Sequence, residues 1–378
     1  MSNACSRWYD RSFPGRPREP AATPNLTSEA SISQGFRRLA QGLARAAVVA
    51  VTVPAAFLSL AAKTPLAGAW WLELMQYAPY PLVLLPALAA FMASFLLARA
   101  WRLAAALALV LVLTGVMGLA LGRADSGSGR VRVMTYNIKA YLVEQNLGGY
   151  ARLAWEVALH NPDILVMQDA GPLSDMRHEK PDTASAVFAG REVYAYGQYI
   201  VVSRFPLQDC QPGDISFDGK SHSYVRCTVK AHGAEIDLFT AHLLSPREGL
   251  NATRYERADG IGEWQHNLNS RLIQASKLAA DVSQRKRPLI VAGDLNAPES
   301  SPVVQVLLER GLRDAFSAAG LGYGYTHGHS LRPHISFLRI DHILVSPELG
   351  VIDCFVGGKE ASEHRPVIAD LAVVRDRR

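Results

Sequence analysis

Cysteine is scarce in this chain. Its 378 residues include only Cys5, Cys210, Cys227 and Cys354. No Cys-x-x-Cys pair and no Cys/His cluster of zinc spacing occurs, which removes the structural zinc class. Serine and cysteine nucleophile motifs are missing, so covalent acyl chemistry has no carrier. An internal repeat is also missing. Charge is absent from three stretches, residues 46–62, 81–98 and 103–121. A net positive charge is absent from most of the chain. Residues 1–123 hold eleven Lys/Arg and four Asp/Glu, a net of +7; the remaining 28 Lys/Arg and 30 Asp/Glu give −2 for residues 124–378. The basic balance therefore belongs to the N-terminal part. A polyanion-binding surface is usually net basic, so nothing in the charge points to nonspecific nucleic-acid binding.

The uncharged stretches predict three transmembrane helices, since crossing the hydrocarbon core takes roughly 20 apolar residues. Trp70, Trp71, Tyr77 and Tyr80 fit an interfacial belt between the first two. Arg37, Arg38 and Arg45 precede the first run, and Arg99 and Arg102 separate the second from the third. Lys63 and Glu73 are the only charges in the intervening loop. The positive-inside rule then puts the N-terminus in the cytoplasm and everything after residue 123 in the periplasm or outside the cell. The expected division is a disordered basic tail (1–40), a membrane domain (41–123), a short Gly/Ser linker (124–130) and a globular domain (131–378).

The globular part reads as strands over 131–140, 164–168, 192–204, 223–230, 235–241, 289–292, 340–345, 351–356 and 367–374. Helices are expected over 150–160, 269–284 and 301–309. Many strands and few helices suggest sheets packed face to face with helices outside. Cys210 and Cys227 flank an expected turn at Pro212-Gly-Asp, and a disulfide between them is left open.

Polar residues gather at the strand ends. Pro288-Leu-Ile-Val-Ala-Gly-Asp294-Leu-Asn296 is a buried strand followed by a carboxylate and a carboxamide. If the chain stays extended, the two share a side, one to hold a water and one to donate to an oxyanion. Asn137 ends the first strand and can offer its carbonyl oxygen to a hard cation. Asp169 follows a buried strand, a good position for a Mg²⁺ ligand. His242 and His364 lie where strands meet loops, a pair able to trade protons near neutral pH. Asp341 opens a buried strand and needs a partner such as histidine, while His342 points to the other face. Arg204 is a further candidate for substrate phosphate. Amide, carboxylate and imidazole together point to metal-assisted water attack on phosphate esters.

Tyr136-Asn137-Ile, Gln168-Asp169, Ser203-Arg204-Phe-Pro, Ala241-His242-Leu, Gly293-Asp-Leu-Asn296, Ile340-Asp341-His342 and Ser362-Glu-His-Arg-Pro366 follow one another in order. In that order they resemble the endonuclease/exonuclease/phosphatase superfamily over about residues 131–374, as a membrane-anchored, bacterial-type member. The resemblance implies a four-layer α/β sandwich, two packed mixed β-sheets flanked by helices, binding Mg²⁺ or Mn²⁺. It implies metal ligation by Asn137, Asp169 and Glu363, contact of His242 and Asn296 with the scissile phosphate, and Asp294 orienting or deprotonating the attacking water. His364, held by Asp341, is the implied catalytic histidine, as base or as cation. The family usually has Glu at position 169 and Asp at 363; each swap changes reach by about 1.5 Å. The expected function is a membrane-anchored phosphodiesterase acting on nucleic acid or a phospholipid headgroup. The alternatives are a phosphomonoesterase on a soluble phosphate, or a binding module of the same fold with weakened catalysis.

Overall fold

In the computed structural model, residues 26–61, 64, 68–145, 148–171, 187–331 and 334–373 are described. The expected disordered tail falls outside them up to residue 25. From Leu26 the chain is already helical, so the first apolar run is the second half of a longer helix, α1 (Leu26–Ala61), which passes through Pro54. A short helix α2 (Trp70–Met75), α3 (Pro81–Ala93) and α4 (Arg99–Leu111) follow. A single 3₁₀ turn, Ser94–Leu96, extends α3, and a π turn, Val112–Val116, extends α4.

Two helices, Ser33–Ala61 and Arg99–Val116, are long and apolar enough to cross a membrane; Pro81–Leu96 is shorter. Three full-length spans are therefore not found among the described residues. The second run turns extended at Leu97. The third ends at residue 116, and its last residues form a strand, β1 (Ala120–Leu121), instead of helix. Large apolar side chains cover the outside of the bundle: Leu60 and Leu82 are each 67% exposed and Leu103 62%. Inside, small residues let the helices approach, and a Cβ on Gly115 would meet Ser59 Oγ at 2.2 Å.

The remaining strands are β2 (Ser128–Asn137), β3 (Ile164–Gln168), β4 (Glu192–Tyr196), β5 (Tyr199–Ser203), β6 (Leu207–Asp214), β7 (Ser223–Ala231), β8 (Ala234–His242), β9 (Leu289–Asp294), β10 (Arg313–Asp314), β11 (Leu321–Gly322), β12 (Asp341–Val345), β13 (Leu349–Val356) and β14 (Val367–Val373). They form two six-stranded sheets, β10-β12-β9-β8-β7-β6 and β13-β14-β2-β3-β5-β4, and β1 pairs with β11. Only β2–β3 and β8–β9 are parallel; the other pairs are antiparallel.

Alternate residues of both sheets, including Val133, Val166, Val225, Leu238, Ile290 and Ile343, meet in a central core. The outer face of one sheet packs under α5 (Ala140–Gln145) and α6 (Gly149–His160). The other packs under α8 (Arg257–Val282) and α9 (Pro302–Leu308). These are the four layers of an α/β sandwich. Two small helices, α7 (Arg247–Tyr255) and α10 (Ala315–Ala319), complete it.

Three expectations are corrected, and the disulfide left open above is found. Residues 192–204 form a hairpin turned at Gly197, whose φ of 55° suits glycine. The expected turn at Pro212 is a strand, because β6 is a sheet edge where proline's missing N–H costs no ladder bond. Cys210 of β6 and Cys227 of β7 are joined by a disulfide. The linker is tied down: Asp125 N donates to Val351 O, and its carboxylate accepts from Val351 N and Arg313.

The interfacial belt is also corrected. Tyr77 is 6% exposed and packs with Trp264, Phe337 and Ile340 of the sandwich. Glu73 is fully buried beside Arg271. Glu73 and Tyr77 thus belong to the globular core.

Candidate active site

Strand register explains why residues far apart in sequence meet. His242 ends β8, Asp294 ends β9 and Asp341 begins β12; His242 pairs with Asp294, and Asp294 pairs with Asp341. In the facing sheet Asn137 ends β2 beside Gln168, the last residue of β3. His364 stands three residues before β14, which runs antiparallel beside β2. All these positions share one edge of the sandwich, so their side chains converge across the gap between the sheets.

The hub is Oδ2 of Asp294. Asn137 Nδ2 donates to it at 2.9 Å. His242 Nε2 lies 3.5 Å away and His364 Nε2 3.8 Å away. The second carboxylate oxygen accepts from Asn296 N. Behind His364, Asp341 Oδ2 holds the Nδ1 at 2.9 Å. Ser362 Oγ accepts from His364 N and donates to Asn137 O, tying the His364 loop to the facing strand.

The electrostatics of the trio follow from burial and charge. Burial opposes a charge on His364, but Asp341 and Asp294 outweigh it and hold the imidazole pKa above its ordinary value. Burial also works against ionised Asp341, yet its contact with His364 and the Thr326 hydroxyl lowers its pKa. Asp294 is pushed the other way, first by burial and then by the charge of Asp341. Asp294, Asp341 and His364 each offer a ligand atom within 4.8 Å of one another.

A second, more open group lies beside it. Lys139 Nζ is 3.9 Å from both Asp169 Oδ2 and Glu363 Oε2. These carboxylates are 28% and 29% exposed. Asn137 Oδ1 accepts from Lys139 N at 3.2 Å. The carboxylate and amide oxygens of this set suit a hard cation that keeps several waters. The ammonium already between the carboxylates shows that the place attracts positive charge. Lys139, Asp169 and Asn296 all have positive φ (45°, 49° and 52°). Left-handed backbone is uncommon for non-glycine residues, though Asp and Asn tolerate it best.

Asn296 does not share a side with Asp294. Its left-handed backbone turns the side chain inward, where Nδ2 donates to Leu243 O at 2.9 Å. Arg204 pairs with Asp163 and Asn161 instead of entering the cleft. His342 is structural, as its alternation suggests, bonded to Asp314 and to Ala297 O.

Sequence reasoning passed over three residues. The His327 ring lies against that of His364, tilted by 37° with 4.6 Å between centroids, and burial, then repulsion from His364, pulls its pKa down to about 3. Gln198 Oε1 lies 2.6 Å from His242 Nδ1 and fixes that ring. Lys139 is the third. The close pair His327-Gly-His329 was a visible clue; Gln198 and Lys139 had none, since polar residues in turns are ordinary.

The sequence profile of the Endonuclease/Exonuclease/phosphatase family matches residues 134–364. The chain belongs to this family. Its enzymes are phosphoester hydrolases that use divalent metals. Among solved structures, a humanized D. rerio TDP2 carrying 14 mutations superposes with a TM-score of 0.50 at 17% identity, over 65% of this chain and 100% of that one. Family proteins from Bacteroides vulgatus and Bacteroides thetaiotaomicron give TM-scores of 0.49 and 0.46 at 18% and 19% identity. Each covers 65% of this chain, and 100% and 98% of theirs. The TDP2 likeness, at this identity, speaks to the fold alone. No curated protein matches the chain.

Proposed function

We propose that the chain is a membrane-anchored phosphodiesterase that uses Mg²⁺ or Mn²⁺ to drive water onto a phosphate ester of nucleic acid or of a phospholipid headgroup. The observation that carries this reading is the sharing of one Asp294 oxygen by Asn137, His242 and His364. Asp294 accepts the proton of the attacking water, with Asn137 fixing its carboxylate. His364, whose positive charge the two facing carboxylates favour against burial, holds the anionic phosphate oxygens as a cation. Asp341 orients its ring. His242, set by Gln198, approaches the same phosphate from the other side. Asn296 acts through its backbone, bracing Asp294. Asp169, Glu363 and the Asn137 carbonyl would hold the metal; when bound, it neutralises developing charge on the phosphate.

Anchoring is supported by the two long apolar helices and by the apolar side chains they expose. We place the sandwich outside the cytoplasm for two reasons. The Cys210–Cys227 disulfide suits an oxidising compartment. The arginines gather at the bundle end away from the sandwich, where Gln41 Nε2 reaches Leu96 O and Arg102 bonds Phe95 O and Leu97 O.

A substrate panel tests the reading with the full-length chain in detergent, with and without Mg²⁺ or Mn²⁺. Cleavage of DNA, RNA or sphingomyelin names the diester. Preference for a phosphomonoester overturns the diesterase choice. Silence across the whole panel overturns catalysis and leaves a binding module.

A further inference from the structure

Glu73 and Tyr77 lie outside the sandwich in sequence but are sealed inside it. They come from the stretch between the first two apolar helices, as α2 and the turn after it. Glu73 and Arg271 of α8 both have fully buried side chains, with 3.3 Å between Arg271 Nη1 and Glu73 Oε1. Ser301 Oγ, which caps α9, donates to the same Glu73 oxygen at 2.8 Å. The Arg271 guanidinium carbon lies 5.6 Å and 5.3 Å from the Tyr77 and Trp264 ring centroids, and Trp264 Nε1 donates to Trp70 O.

The network ends on the catalytic loop. Arg271 Nη1 donates to the Tyr77 hydroxyl at 2.6 Å, and that hydroxyl donates to Asn296 O at 2.9 Å. Arg271 itself reaches Asn296 O at only 3.4 Å. Asn296 has left-handed backbone, and its N–H braces Asp294 Oδ1. A strained residue keeps such a conformation only where its surroundings over-determine it.

We infer that Glu73 and Tyr77 are positioning residues of the active site: α2 and the turn after it clamp the Asn296 carbonyl and thereby set the Asp294 carboxylate. The kinetic consequence rests on the proposed hydrolase reading; the structural one does not. The clamp makes the sandwich incomplete without residues 70–77, because Arg271 would be a buried charge with no counter-ion.

The test uses the full chain in detergent with Tyr77→Phe, which removes the hydroxyl and keeps the ring. Hydrogen exchange at the Leu295 and Asn296 amides should quicken by about tenfold, the worth of one net hydrogen bond. The Ile343 and Leu344 amides in β12 should not change. In the active enzyme, kcat should fall at least about tenfold with KM little altered, as misplacement of a reacting group predicts. Unchanged exchange at Leu295 and Asn296 overturns the clamp, whether or not the wild type hydrolyses anything. Faster exchange with undiminished kcat overturns the positioning role. If Tyr77→Phe does not fold, Glu73→Gln, which keeps the side-chain shape, is read in the same way.

Discussion

His242 Nε2 and Asp294 Oδ2 lie 3.5 Å apart at the ends of two adjacent parallel strands. The ladder that pairs their backbones also aims imidazole and carboxylate at one point, so this contact is built into the sheet. Replacing Asp294 by Asn keeps the shape and a carbonyl oxygen for Asn137, and removes the proton acceptor. Hydrolysis should fall by about 10²–10⁴-fold, the usual worth of a general base. The thermal midpoint should hold or rise, because burial and the charge of Asp341 both disfavour ionised Asp294. Rate assays and a melting curve on the same preparation check both outcomes.

The imidazolium of His364 depends on Asp341, so Asp341→Asn should shift the alkaline limb of the pH–rate profile to lower pH. Burial alone would otherwise depress the His364 pKa. The sign for stability follows from linkage. A histidine whose folded pKa is raised contributes stability fully present below its unfolded value of about 6.5, and lost as pH rises through the folded one. The wild type should therefore lose part of its stability above neutrality, and Asp341→Asn should lose less over that window. Denaturant titrations between pH 6 and 9 measure it.

His327 has the opposite sign. With its pKa pulled down to about 3, it stays neutral in the fold while the unfolded chain binds a proton below about 6.5. Stability is lost as pH falls from there toward 3. His327→Gln should melt less steeply with acidification than the wild type.

Lys139 competes with any metal for Asp169 and Glu363, since its ammonium is 3.9 Å from each. Lys139→Gln should tighten divalent-ion binding by about tenfold, or ~1.4 kcal/mol. Asp169→Glu, with its longer reach, should also tighten it. Calorimetric metal titration reads both without relying on turnover.

The Cys210–Cys227 bridge closes a loop with a sequence separation of 17. Cys210→Ser/Cys227→Ser should cost about 2–4 kcal/mol of stability. Reductant should lower the wild-type melting temperature and leave the double variant unmoved.

Much of the site was legible because its residues end apolar runs. The run before Asp294, the run before Asp169 and the strand after Asp341 are all buried, and a polar residue at such a boundary stands out. Sheets packed face to face followed from many strands and few helices, and the four layers from the family resemblance. What was not legible depends on contacts between distant segments. The inward turn of Asn296 needs the Leu243 carbonyl, and Glu73 looked like a loop charge until Arg271 was placed beside it. Tyr77 resembled a membrane-belt aromatic because composition cannot say which apolar environment receives a ring. The shortness of Pro81–Leu96 was hidden too, because continuing hydropathy through residue 98 masks a helix end at Leu97.

The most direct measurement is hydrolysis of bis-p-nitrophenyl phosphate by the full-length chain in detergent, with Mg²⁺ or Mn²⁺ added and removed, alongside Asp294→Ala. Turnover should require the ion and disappear in the variant. Turnover that survives Asp294→Ala, or proceeds equally after metal removal, would contradict the proposed mechanism.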